Sequence, residues 1–231
     1  MTRTRTLPRA KSTPETRSDG LGASAHQRIR EAIATGIFKP GQRITETQLA
    51  EWLSISRTPV REAVQRLLTQ GLLSQSAGQG LTVTKLDYQA IVELYAMREV
   101  LESAAARSAA MQATEPEIEI LEDILEMERK VVPGVPADAA HYNRQFHQAL
   151  GRAAHNRYLL ASQGALEDAM ALLGNTTLAM DGRHAEAVEE HARIVAAIRE
   201  RKPEAAAQAI SDHIRAAQRK RLKMLLSARE E

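Results

Sequence analysis

Apolar positions recur at helical spacing along most of this chain, and the stretches where that period breaks divide it. From Ala25, the side chains of Ile29, Ala32 and Ile33 share one face, and Gly36 closes that helix. Lys39-Pro40-Gly41-Gln42 reads as a turn, since Pro suits its second position and Gly supplies a positive φ at its third. Thr45 followed by Gln48 is a capping-box pair, opening a short helix that buries Leu49, Trp52 and Leu53. Ser56 caps the next helix, and Pro59 falls in its first turn, where a missing N–H costs nothing. Val60, Ala63, Val64, Leu67 and Leu68 then form one apolar stripe, while Arg57, Arg61 and Gln65 line another face. Gly71 ends that helix. Residues 72–84 read as strand, tight turn and strand, the turn falling on Ser76-Ala77-Gly78-Gln79-Gly80.

Two short helices, the second polar and Arg-bearing, are what a helix-turn-helix needs to present side chains in a major groove, and the hairpin would be its wing. Beyond Asp87 the period stays helical, with helices expected near 88–111, 115–131, 138–153, 157–180, 184–201 and 203–228. Thr114 with Glu117 is a second capping box, Val132-Pro133-Gly134-Val135-Pro136 breaks the chain, and Pro203 starts the final helix. The fold class is therefore mainly α: a winged helix-turn-helix over 24–86 and an all-α bundle over 87–231. Residues 1–23 show no apolar period and read as a disordered basic arm carrying Arg3, Arg5, Arg9, Lys11 and Arg17.

Charge sharpens the division. Residues 1–86 hold 13 Lys/Arg against 6 Asp/Glu, and residues 87–231 hold 18 against 23. A basic module built for a polyanion is joined to an acidic module with another task. The chain has no cysteine, which excludes disulfides and thiolate metal sites. No apolar run approaches the roughly 18 residues of a membrane span, and no signal-peptide core is visible, so a soluble cytoplasmic protein is expected.

The histidines carry the remaining chemistry. Asn143 and His147 lie four apart and project from one helix face. His191 and His213 lie eleven residues either side of Lys202, at the hinge of a helical hairpin, so folding there sets the two imidazoles opposite each other. His147, His191 and His213 can converge inside a bundle as metal ligands, or sit in the core satisfied by hydrogen bonds, or bind an anion directly. Three neutral imidazoles suit zinc or nickel better than magnesium or calcium. Glu189 and Glu190 beside His191 leave a histidine-cluster metallohydrolase open as a rival, but no HExxH-like spacing is present and the reading is of a non-enzyme. His26, His141 and His155 read as solvated, and Arg215, Arg219, Lys220, Arg221 and Lys223 as a cluster facing solvent and a helix C-terminus.

The stretch GIFKPGQRITETQLAEWLSISRTPVREAVQRLLTQGLLSQSAGQGLTV resembles the winged helix-turn-helix of the GntR family of transcription regulators, in the order and spacing of its PG turn, SRTPVREAV core and QGLL exit. The resemblance implies a ligand-responsive operator-binding regulator, read here as a repressor. DNA contacts carry over to Arg57, Thr58, Arg61 and Gly80. Thr47 stands where relatives often have Arg. A homodimer on a palindromic operator is implied, since one recognition helix reads only a few base pairs. Residues 87–225, through MREVLE, NRQFHQAL, EEH and the final DHI, resemble the FCD ligand-binding domain. That resemblance implies a divalent metal on Asn143, His147, His191 and His213 beside a small organic-acid effector, with Asn143 where Asp is usual. It also implies that Arg98 faces the effector, while a salt bridge to Glu102 competes for that side chain. A sensor whose effector is the ion itself is the alternative within the same class.

Overall fold

The computed structural model describes residues 14–76, 80–132, 134–174 and 176–227, with side chains from Gly20 onward except Ser76. The first helix, α1, is Pro14–Ala34 and so begins eleven residues before Ala25. Pro14 suits a first helical turn through its fixed φ and absent N–H. Part of the expected arm is thus helix. Its residues 1–13 lie outside the described residues.

The turn after α1 forms as expected: Gly41 takes φ 82° and the Gln42 N–H donates to the Lys39 carbonyl at 2.9 Å. Helix α2, Glu46–Leu53, opens on the capping box, Thr45 accepting from the Gln48 N–H and Gln48 accepting from the Thr45 N–H. Helix α3, Arg57–Thr69, starts after Ser56, whose side chain makes no cap bond. The wing is β2, Leu73–Ser76, and β3, Gly80–Val83, paired antiparallel. β1, Arg43–Ile44, adds to the other side of β3, giving the order β1-β3-β2. Ile29, Ile33, Leu49, Val60, Leu67, Leu72, Leu73 and Val83 form the core of this domain. Trp52, expected inside, is 38 % exposed; it packs edge-on to Phe38, with the Arg28 guanidinium over its ring.

The C-terminal bundle is α4, Tyr88–Gln112; α5, Glu115–Arg129; α6, Pro136–Ala153; α7, Arg157–Ala171; α8, Arg183–Arg199; and α9, Pro203–Ser227. Helices α4 and α9 run along each other as its backbone. The Thr114–Glu117 box starts α5 as predicted. The stretch expected as one helix over 157–180 is not: α7 stops at Ala171, Gly174 takes φ 65°, and Thr176 caps a short 3-10 turn, Thr177–Ala179. A positive φ is cheap for glycine and ends the helix there.

The end of α7 joins the two domains. Ala171 and Leu172 are buried in the N-terminal core, Met170 and Leu173 pack on the bundle core, and Leu86 touches both. No helix among the described residues is long and apolar enough to cross a membrane.

Candidate functional site: a nucleic-acid face and a histidine centre

The four expected DNA-contacting positions fall on one side of the N-terminal domain. Arg57 and Thr58 open α3 and Arg61 follows one turn later, all exposed, because the Val60, Ala63, Val64 and Leu67 stripe turns the opposite face inward. Gly80 begins β3 at φ 75°, a conformation that favours glycine. Arg57, Gln65, Thr47, Gln75 and Gly80 line one shallow groove between α2, α3 and the wing. Glu46 sits between the arginines, 3.8 Å from Arg57 and 3.5 Å from Arg61. Ion pairs this long and this exposed are worth at most about 1 kcal/mol, so either arginine can leave Glu46 for a phosphate or a base edge.

The histidines converge as the hairpin symmetry predicts. The His191 and His213 ring centroids lie 4.6 Å apart, and His147 on α6 is 5.2 Å from His213 and 5.5 Å from His191. One nitrogen of each lies within 4.8 Å of the others. Phe146 stacks on His191 at 3.9 Å, closing the apolar side. Asn143 is half-buried one turn before His147 on α6.

Three glutamates orient the three imidazoles. His147 Nδ1 meets Glu102, His191 Nδ1 meets Glu128 at 2.7 Å, and His213 Nδ1 meets Glu190 at 2.7 Å. A carboxylate oxygen accepts, so a proton on each Nδ1 serves these contacts, and for His191 and His213, which burial keeps neutral, Nε2 then presents a lone pair. Burial holds His191 below the usual imidazole range and His213 well below it, which favours the neutral form that ligates. Burial alone would raise Glu102, but His147 and Arg98 beside it hold the carboxyl below its ordinary value.

Two observations test whether these residues fit a metal. His147 Nε2 and His213 Nε2 face each other at 3.3 Å. A shared proton or a bound ion can each bridge two imidazole nitrogens at that distance, and about 3.3 Å is also what two nitrogens each 2.0–2.1 Å from one tetrahedral ion would span. His191 Nε2 is buried and has no hydrogen-bond partner among the described residues. A metal-binding imidazole whose other nitrogen donates to a carboxylate is the usual arrangement at such centres. The donor set fits a divalent ion.

Arg98 is buried, donates from Nε to Glu102 at 2.9 Å and lies over the Tyr95 ring. Of the two readings for Arg98, the salt bridge is formed. Sequence reading missed Arg183, which is 1 % exposed, donates to Glu190 at 2.7 Å, and has Nε and Nη1 without hydrogen-bond partners among the described residues, its Nη1 standing 3.6 Å from Glu186. The pairings of Glu102, Glu128 and Glu190 were missed as well. Glu102 had surfaced only as a partner for Arg98 and Glu190 only as a general base, whereas Glu190 is held by both His213 and Arg183. Arg221, expected on the solvent side, is buried and donates to the Leu173 carbonyl at 3.2 Å.

Comparison with known proteins agrees with this division. Residues 21–83 match the model for bacterial regulatory proteins of the gntR family, and residues 93–216 match the FCD domain. The uncharacterized HTH-type transcriptional regulator YdhC of Bacillus subtilis is 33 % identical over 81 % of this chain and 85 % of its own length. A probable D-xylose utilization operon transcriptional repressor of Paenarthrobacter nicotinovorans is 32 % identical over 80 % of this chain and 81 % of its own. The solved structure of E. coli McbR/YncC superposes with a TM-score of 0.75 at 21 % identity, over 89 % of this chain and 98 % of that one, which shows a shared fold. With a winged helix-turn-helix leading into a helical domain built round three histidines, the chain belongs to the GntR family of DNA-binding transcription regulators, its C-terminal half an FCD domain.

Proposed function

We propose that this regulator is a cytoplasmic repressor that binds a palindromic operator as a homodimer and answers to a small organic acid received at a divalent metal. The carrying observation is the trio of imidazoles, each with Nδ1 against a glutamate and with one nitrogen of each ring within 4.8 Å of the others. His147, His191 and His213 would hold the ion, zinc or nickel by the softness of the donors, and the Asn143 amide oxygen is the candidate fourth ligand. When bound, such an ion supplies a positive centre and a position for a carboxylate oxygen.

Charge supports the effector class. Arg98 and Arg183 carry two positive charges into this region, and Glu102, Glu128 and Glu190 carry three negative ones. A divalent ion turns that excess of one negative charge into one positive, which a single carboxylate neutralises. The Nε and Nη1 of Arg183 are donors suited to its oxygens, alongside Arg98. At the other end of the molecule, Arg57, Thr58 and Arg61 would meet base edges and phosphates, and the backbone at Gly80 would approach the neighbouring phosphate chain. Repression rests on the name of the D-xylose relative.

The test takes tag-free full-length protein. Duplexes selected from a random pool should share a two-fold-symmetric site, and elemental analysis should find metal on the purified chain. Acetate, lactate and citrate are then titrated into the zinc-loaded complex, where a change in duplex affinity with at least one acid is expected. A response to zinc alone, with none to any acid, would assign the ion as effector. Protein that stays metal-free after incubation with zinc and with nickel would overturn the metal and leave the histidines as anion ligands.

A further inference from the structure

The last turn of α7 is buried in two cores at once. Met170 and Leu173 pack into the bundle core, while Ala171 and Leu172 belong to the core of the winged helix-turn-helix. One turn earlier, Asp168 accepts from Gln70 Nε2 at 2.9 Å and pairs with Arg30 at 3.3 Å. Gln70 is the C-cap of α3, the helix that carries Arg57 and Arg61, and its Oε1 is bonded to His26 of α1 at 2.6 Å. From the bundle side the turn is held by Arg221, whose Nη1 donates to the Leu173 carbonyl at 3.2 Å. Arg221 lies eight residues after His213 on α9, about two helical turns on the same rod. Gly174, at φ 65°, ends the helix directly after the turn.

We propose that residues 168–173 are the coupling element of this regulator: the turn through which the state of the histidine centre reaches the recognition helix, with Asp168 as the clasp on α3 and Arg221 as the clasp on α9. The inference rests on the reading of the histidines as the sensing site, and it adds the route from there. A packed turn cannot move on one face only. Met170 and Leu173 sit three apart on the face opposite to their neighbours Ala171 and Leu172, so a shift of α9 that displaces Leu173 drags Leu172 within the N-terminal core. Asp168 then carries the displacement to Gln70 and Arg30, at the end of α3 and on α1. The linker at Leu86 also touches both cores, but through apolar packing. Coupling between sites is reciprocal, so loosening either clasp must be felt beyond the other.

The experiment is amide hydrogen exchange on the full chain, in three forms: wild type, Asp168→Asn and Arg221→Gln. Asp168→Asn keeps the shape of the side chain but weakens its hold on Gln70 and Arg30. Exchange should then quicken about fivefold or more in 66–70 and also in 213–222, across the domain boundary. Arg221→Gln should quicken the same two segments, and the histidines are untouched by either change. Effects confined to the domain that carries the substitution would overturn the coupling. Because Arg221 is buried, a general loss of protection in that variant leaves Asp168→Asn to decide alone. A second arm adds Zn2+ to chelator-treated wild type and follows metal content together with exchange. Zinc that binds and changes protection in 166–173 and 66–70 supports the route; zinc that binds without moving either segment overturns it. Zinc that does not bind defeats the sensing-site reading and leaves the clasp variants to judge the route by themselves.

Discussion

The two functional regions use the same residue types under opposite conditions. On the proposed DNA-reading face Arg57 and Arg61 have side chains 62 % and 67 % exposed and sit 3.5–3.8 Å from one glutamate. At the histidine centre Arg98 and Arg183 have side chains 10 % and 1 % exposed and are bonded to Glu102 and Glu190 at 2.9 and 2.7 Å. The difference teaches what burial does to charge. An exposed arginine in water loses little by changing partners, so it can serve a large polyanion whose position varies by a base step. A buried charge must be paired in the fold, which fixes its geometry in advance and restricts what can join it. The exposed region suits salt-sensitive contact, and the buried one suits a small ligand set of defined charge.

The contrast breaks most sharply at the imidazoles. His147→Ala, His191→Ala and His213→Ala should each abolish metal retention, because two imidazoles and an amide hold a divalent ion poorly. Elemental analysis of tag-free protein checks this, and equal metal content in wild type and all three variants would remove the centre. Operator binding without effector should change little in any of them.

On the exposed side, Arg57→Ala or Arg61→Ala should cost about 1–3 kcal/mol of operator affinity if the side chain reads a base. Loss of a phosphate contact should instead weaken all duplexes alike and flatten the salt dependence. Melting temperature and metal content should stay at wild-type values, since neither arginine supports the core. Fluorescence anisotropy across a salt series measures both effects.

Glu128→Gln sharpens the comparison from inside. The amide still meets His191 Nδ1 but no longer as an anion, so zinc affinity should fall about 10–100-fold with duplex affinity unchanged. A competition titration with a metal chelator reads it. Unchanged zinc affinity would mean that the carboxylate orients nothing.

The smallest effect expected is on stability as pH changes. His191 and His213 stay neutral in the fold where burial keeps them below the ordinary value of about 6.5, whereas the unfolded chain takes up those protons. The metal-stripped protein should therefore lose stability as pH falls through about 6.5, and zinc should be displaced over the same range. Melting temperatures at several pH values, with and without zinc, measure the linkage. A metal-stripped chain that becomes more stable on acidification would contradict neutral buried imidazoles.

Local chemistry was legible where a few neighbouring residues decide the outcome. Thr45 with Gln48 and Thr114 with Glu117 form their capping boxes, Gly41 makes its turn, and the Val60–Leu67 stripe buries the face opposite Arg57 and Arg61. The symmetric placing of His191 and His213 about Lys202 was legible too, because rise per residue converts spacing into position along a hairpin. Trp52 was read wrongly, since an aromatic at a core spacing can still lie at the rim, against Phe38 and Arg28. The end of α7 was read wrongly for another reason: Leu172 and Leu173 continue the apolar pattern, but Gly174 at φ 65° ends the helix and the two leucines divide between two cores.

Sequence alone thus determined most of the helical and hairpin elements, the exposed arginine face of α3 and the convergence of the three histidines, all of which follow from periodicity, caps and spacing within a few turns of chain. Tertiary structure decided which glutamate orients each imidazole, that Arg183 and Arg221 are buried, and that Asp168 grips the end of α3. Those partners lie 23 to 98 residues apart for the side-chain pairs His213–Glu190, His147–Glu102, His191–Glu128 and Gln70–Asp168. No local propensity encodes such pairings. They are selected when packing removes water and leaves each buried charge to find the one partner within reach.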